Sequence, residues 1–435
     1  MSDKIDDAVC YSAGSAYLSG LPVVVAGYQM PCHGIFSKIE YMEAAIKNAE
    51  LQPEDVIVVM ESGTFFTGVD INPLLDRFIA QSAATPEELD ALAVRQGRAM
   101  APLLLNAEAE SSKATILEHL GGCKPVYEDA YEKVRKYAVA HPEHKLALPF
   151  DVSRCRYLDS GVVVARVWAY KDFSKLANNY VYTQILESTV KRGWLTDQSI
   201  YIAFYLDLIT WEVERDVFSM PMDGQKVARS SYGMRAGLLG LDYTNAPLVI
   251  GIETYLTRSE LHDEQWAKYL PLDGSKHPHS RSITRLRTMT RFVHSLYKRA
   301  YAAHGQGIYA RRAVPRWIGG KRASKTTHIT FTPPLLTLKQ TSIDTSSNKG
   351  RTYPAIFHSG GLEKAQRRES ETKTAVISTQ WFLPMVYDPK AKRQAWKYLA
   401  SAPLFLSTHS SIIRDSYYAK CGFPFEGMIK KLKGP

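Results

Sequence analysis

Three short, valine-rich apolar runs constrain the fold of this chain most: Leu21 to Ala26 (LPVVVA), Val56 to Met60 (VIVVM) and Val162 to Val167 (VVVARV). Runs of this length, rich in β-branched residues, read as strands buried on both faces. Between the first two, Ile39, Met42, Ala45, Ile46 and Ala49 recur at helical spacing, so Phe36 to Ala49 reads as an amphipathic helix that Pro53 closes off. Pro73 opens a further helix through Ala80. Ala101 to Leu105 is another strand, ending at Asn106-Ala107-Glu108, and Val181 to Val190 is a helix by the spacing of Tyr182, Ile185, Leu186 and Val190. Ile200 to Leu208 fits a helix or a buried strand. Strands alternating with helices at this interval predict an α/β domain with a largely parallel sheet.

The second constraint is electrostatic. Between Lys276 and Arg351 stand sixteen Lys/Arg residues and one acid, Asp344, while the whole chain of 435 residues carries only +10. A local surplus of that size calls for a polyanionic partner, whether RNA, DNA or an acidic protein surface. Ile283, Leu286, Met289, Val293, Leu296 and Tyr297 form an apolar stripe. Arg281, Arg285, Arg287, Arg291, Lys298 and Arg299 fill much of the remaining circumference, which predicts a basic amphipathic helix over 281–300. Gly305 to Lys325 reads as a loop in which Tyr309 and Trp317 are interleaved with Arg311, Arg312 and Arg316. Charge for phosphate and rings for stacking are what a nucleic acid needs, whereas an acidic protein needs the charge alone. The resulting division is 1–224 as a core, 225–352 as a basic insertion, and 353–435 as the completion of the core and a C-terminal segment.

Bulk properties exclude several classes. No stretch approaches the roughly 20 uncharged apolar residues of a membrane span. The acidic start from Met1 to Asp7 lacks a secretory signal's basic and apolar regions, which predicts an intracellular, non-secretory protein, cytoplasmic, cytoskeletal or mitochondrial. The five cysteines are odd in number, widely spaced and free of CxxC or Cys/His ligand patterns. Free thiols and no structural zinc site are the expectation.

In an open α/β sheet, ligands bind beyond the carboxyl ends of the strands. Glu61-Ser62-Gly63-Thr64, directly after VIVVM, therefore offers a carboxylate for a metal-bound diphosphate or, more simply, a helix cap or a solvated loop acid. Six segments occur in order: IFSKIEYMEAAI, VIVVMESGTFF with PLLDRF, LLLNAEAE, RYLDSGVVVA, LTDQSIYIAFYLD and FHSGG. Together, over roughly 8–215 and 353–384, they resemble the glycosyltransferase domain of the procollagen lysyl hydroxylases and related collagen-modifying sugar transferases. The resemblance implies a GT-A fold, a Rossmann-like sheet that binds a UDP-sugar through a divalent metal, usually manganese.

Carried over residue by residue, the resemblance makes Lys38, Glu61 and Asp159 candidate cofactor-binding residues, and Glu61 and His358 candidate metal ligands. Asp197 and Gln198 become candidate catalytic residues for an active enzyme. Glu108 matches an Ala-Glu turn, and Asp159-Ser160-Gly161 an Asn-Ser-Gly turn on the acceptor side. Two departures bear on activity. The family carries two aspartates three apart where this chain has Glu61 and Thr64, and Gly63 stands for a tyrosine that packs on the base. The family's first strand precedes the segment resembling Val9 to Tyr17, and only about eight residues stand there. Neutral Thr64 at a ligand position removes charge that would hold the ion. The expectation is a divergent, catalytically degenerate glycosyltransferase-like subunit of a larger assembly, docking through its basic insertion and needing no cofactor. The competing expectation is an active UDP-sugar and manganese-dependent transferase.

Overall fold

The computed structural model describes residues 1–18, 23–32, 37–61, 64–66, 78–108, 123–153, 155–181, 197–243, 248–250, 309–318, 321–331, 356–358, 399–400 and 402–422. The architecture is mixed α/β. Its strands are β1 (Val24–Ala26), β2 (Val56–Met60), β3 (Thr64–Phe66), β4 (Leu103–Glu108), β5 (Tyr157–Arg166), β6 (Leu239–Asp242), β7 (Leu248–Ile250), β8 (Tyr309–Ile318), β9 (Lys321–Phe331), β10 (Ile356–His358), β11 (Pro403–Ser407) and β12 (Ile412–Ser416).

The central sheet has the order β2-β5-β4-β6. β5 is buried along its whole length, as its valine run demands, and the last of those valines, Val167, starts the following helix instead. The expectation of a largely parallel sheet is corrected here. β5 runs antiparallel to both β2 and β4, and only β4 and β6 pair in parallel. An apolar run carries no direction, and it overstates burial here: β5 is buried throughout, but β2 is mostly half-buried and Val24 of β1 is exposed. The helix Cys123–Ala140 lies between β4 and β5 in the chain, and β5 returns against its neighbours. β2, β4 and β6 consequently point the same way, and their carboxyl ends share one edge of the sheet with the amino end of β5.

Helix Asp197–Glu214 packs on β5 and on helix Cys123–Ala140. It is apolar nearly all round, and thirteen of its residues are buried, which explains why its periodicity did not separate helix from strand. Helix Ser37–Asn48 buries Ile39, Tyr41, Met42, Ala45 and Ile46 against β1 and the helix Val167–Tyr180, as the spacing predicts. β1 pairs in parallel with β11 and not with the central sheet. β10 lies between β3, antiparallel, and β7, parallel. No strand occurs ahead of helix Asp7–Leu18 among the described residues.

Two further expectations change. Cys10, in helix Asp7–Leu18, forms a disulfide with Cys421 across 411 residues, a pairing that spacing cannot reveal; Cys32, Cys123 and Cys155 keep their thiols outside any disulfide. The Tyr417 hydroxyl donates to the Cys10 carbonyl at 2.6 Å beside the bridge, so the two ends of the described chain are packed together. The stretch read as a loop from Gly305 to Lys325 contributes instead to an antiparallel pair, β8 with β9. The sequence between the partners Ile318 and Lys321 is Gly319-Gly320, a dipeptide suited to a two-residue hairpin connection. The predicted helix over 281–300 lies outside the described residues, as does that over 181–190 apart from Val181 and most of Pro73 to Ala80; 78–81 is helical. Among the described residues, no helix is long and apolar enough to cross a membrane.

Candidate functional site

The shared edge of the central sheet gathers the residues singled out in the sequence. β4 and β5 pair in register through Leu105 and Val163, then resume at Asn106 and Asp159, leaving Ser160, Gly161 and Val162 without partners on β4. Such a bulge turns side chains away from the regular pleat. What the sequence presents as an Asp-Ser-Gly turn is therefore a bulged stretch inside β5. The Gly161 amide donates to Asp159 Oδ1 at 2.8 Å, and the Glu61 amide donates to the Gly161 carbonyl at 3.0 Å. Those bonds place Glu61, just past the end of β2, next to the bulge.

Lys38 stands in the first turn of helix Ser37–Asn48 and Asp197 in the first turn of helix Asp197–Glu214. The Lys38 ammonium pairs with Glu61 Oε1 and lies 3.0 Å from Asp197 Oδ2, which also accepts a hydrogen bond from Ser160 at 3.4 Å. Burial opposes the charge on Lys38, but the Asp197 and Glu61 carboxylates outweigh it, and the lysine pKa is raised. Burial pushes the Asp197 carboxyl up from its ordinary value, with Lys38 pulling the other way. Gln198, the next residue, donates to Glu108 Oε1 at 3.0 Å and to the Leu158 carbonyl at 2.9 Å, joining the ends of β4 and β5.

His358 arrives from β10, whose register pairs it with Thr64 of β3. His358 Nδ1 lies 2.7 Å from Thr64 Oγ1, and Nε2 lies 3.7 Å from Asp159 Oδ2. All three residues are buried. The Asp159 carboxyl is likewise pushed up by burial, with His358 opposing. The imidazole rests directly over Gly161, where an added Cβ would stand 2.2 Å from Nε2.

Lys38, Glu61, Thr64, Asp159, Asp197, Gln198 and His358 thus form one network, with Glu108 at its margin. Among the partner-binding candidates, Arg311, Arg312, Arg316 and Trp317 lie on β8. Arg281, Arg285, Arg287, Arg291, Lys298 and Arg299 lie outside the described residues. Sequence reasoning missed the bridging position of Lys38 and the seat that Gly161 provides for His358. The only available signal was indirect: a lysine in a first helical turn and a glycine inside a valine-rich strand.

The donor set does not suit the divalent ion that the family resemblance implies. The Lys38 ammonium already sits between the Glu61 and Asp197 carboxylates, and Thr64 engages one imidazole nitrogen. Among the described residues, three His, Cys, Asp or Glu ligand atoms come within 4.8 Å of one another only at His141, His144 and Asp216. Comparison with family models gives no match, and neither a curated protein nor a solved structure matches the chain.

Proposed function

We propose that this chain is a divergent, catalytically degenerate glycosyltransferase-like protein that serves as a binding subunit of a larger assembly and docks on RNA through its basic segment. The observation that carries the first half is Lys38, whose ammonium supplies the positive charge between Glu61 and Asp197 that a metal-dependent sugar transferase assigns to its ion. With that cation built in, the carboxylates stabilise the fold and do not collect a nucleotide diphosphate. In GT-A chemistry the ion neutralises the departing diphosphate, and electrostatic stabilisation of that kind is among the largest contributions to rate. A lysine committed to two carboxylates has little charge left for a leaving group.

The second half rests on β8 and β9. Arg311, Arg312, Arg316, Lys321, Arg322 and Lys325 occupy one two-stranded ribbon with Tyr309, Trp317 and Phe331. Two-stranded ribbons are a known way of presenting side chains to nucleic acid, and aromatics among cations favour a stacked single strand over an acidic protein.

Binding of the full chain to a single-stranded RNA, followed over a salt series, tests the assignment. The expected result is a steep salt dependence in the wild type and a shallower one in Arg311→Gln/Arg312→Gln, the slope falling by about 0.7 for each phosphate no longer neutralised. Salt-insensitive binding, or equal retention on polyglutamate and RNA with no effect of the double substitution, would overturn it.

A further inference from the structure

The end of helix Asp197–Glu214 opposite Asp197 holds a second cluster, about 27 Å along the axis from the network above. Helix Cys123–Ala140 ends beside it and runs into His141 and a single 3-10 turn, Pro142–His144. His141 caps that turn, and its carbonyl accepts from the His144 amide at 3.1 Å, which brings the two residues together. Their rings lie 5.7 Å apart, and both stack on Tyr137, at 4.4 and 5.9 Å.

From the other helix, Asp216 is held in the left-handed region at φ 48° and opens the turn Val217–Ser219. His144 Nε2 stands 3.9 Å from Asp216 Oδ1 and 3.2 Å from Ser219 Oγ. Glu143 Oε1 is 3.2 Å from His141 Nδ1 and 3.9 Å from His144 Nε2. One ligand atom each from His141, His144 and Asp216 fall within 4.8 Å of one another.

We propose that His141, His144 and Asp216 form a zinc site, with Glu143 placed to complete the shell. Two imidazoles and a carboxylate are a donor set suited to Zn²⁺. Tetrahedral bonds of about 2.0–2.1 Å put ligand atoms about 3.4 Å apart, so atoms that now lie within 4.8 Å would have to close on the ion, which the partial exposure of His141 and Asp216 leaves room for. Tyr137 supplies the outer support, because its hydroxyl donates to Asp216 Oδ1 and its ring stacks on both imidazoles. The ion would clamp the ends of two packed helices. This inference does not depend on the functional assignment above, and its test involves neither RNA nor nucleotide.

The experiment is zinc uptake by the full chain in competition with a chromophoric chelator, paired with zinc X-ray absorption. The expected result is one ion per chain, with two imidazole nitrogens at about 2.0–2.1 Å, and loss of that ion in His141→Gln/His144→Gln. Tyr137→Phe keeps every ligand and is expected to weaken binding about tenfold. Should the double variant not fold, Asp216→Asn, checked by circular dichroism, removes one partly exposed ligand with less disturbance. No uptake by the wild-type chain, sulfur-only coordination, or equal uptake by the ligand variants overturns the proposal.

Discussion

The Lys38 ammonium lies 3.0 Å from the Asp197 carboxylate across 159 residues of sequence, and it joins the first turns of two helices at one edge of the central sheet. The same ammonium pairs with Glu61 at the end of β2. A cation shared by two carboxylates stabilises the edge as long as all three members are present.

Removing the cation should therefore expose two mutually repelling carboxylates. Lys38→Met is expected to lower stability by about 3 kcal/mol, the lower part of the range for a broken buried pair because Lys38 is a quarter exposed. Urea unfolding monitored by tryptophan fluorescence measures it. An unchanged midpoint would mean that the network contributes nothing to the fold.

The pH dependence has a defined sign. Burial raises the Asp159 carboxyl and His358 only partly offsets it, so the folded chain keeps a proton that the unfolded chain releases. Stability from this source is complete below the ordinary aspartate value of about 4 and is lost as pH rises through the raised folded value. Lys38 titrates far above that window and adds no slope there. Asp159→Asn is accordingly expected to gain on the wild type as pH rises from about 4 toward neutrality. Thermal midpoints of both proteins across that range supply the comparison, and a constant difference would contradict the account.

Gly161→Ala is expected to dislodge His358, because the new Cβ would stand 2.2 Å from its Nε2. Overpacking of this kind costs about 1–3 kcal/mol. The imidazole resonances should shift as the hydrogen bond between His358 and Thr64 breaks, and an unperturbed His358 spectrum would be the wrong result.

The bridge between Cys10 and Cys421 predicts three titratable thiols in the unfolded chain without reductant and five with it. Reduction is expected to lower stability by about 2–4 kcal/mol, matched by Cys10→Ser/Cys421→Ser. Five thiols in the unreduced protein would remove the bridge from the account.

Much of the local structure was legible because burial writes itself into composition. VIVVM and VVVAR became β2 and β5, and the spacing of Ile39, Met42 and Ile46 gave the helix that carries Lys38. Direction was not legible, since a valine run is the same in either sense, and β5 turned out antiparallel to both neighbours. The network was partly legible: Glu61, Asp159, Asp197 and His358 were each singled out, but the role of Lys38 depends on a contact between distant segments. His141 and His144 stand close in sequence, but their carboxylate partner, Asp216, comes from the end of another helix, so no spacing reveals the cluster. The same holds for Cys10 and Cys421.

The most direct test of the central claim, that Lys38 supplies the charge a metal would otherwise bring, is titration calorimetry of the full chain with UDP and UDP-sugars, with and without Mn²⁺. The account predicts binding weaker than about 1 mM in both conditions, with no response to manganese. Manganese-dependent binding in the micromolar range that His358→Ala abolishes would contradict it.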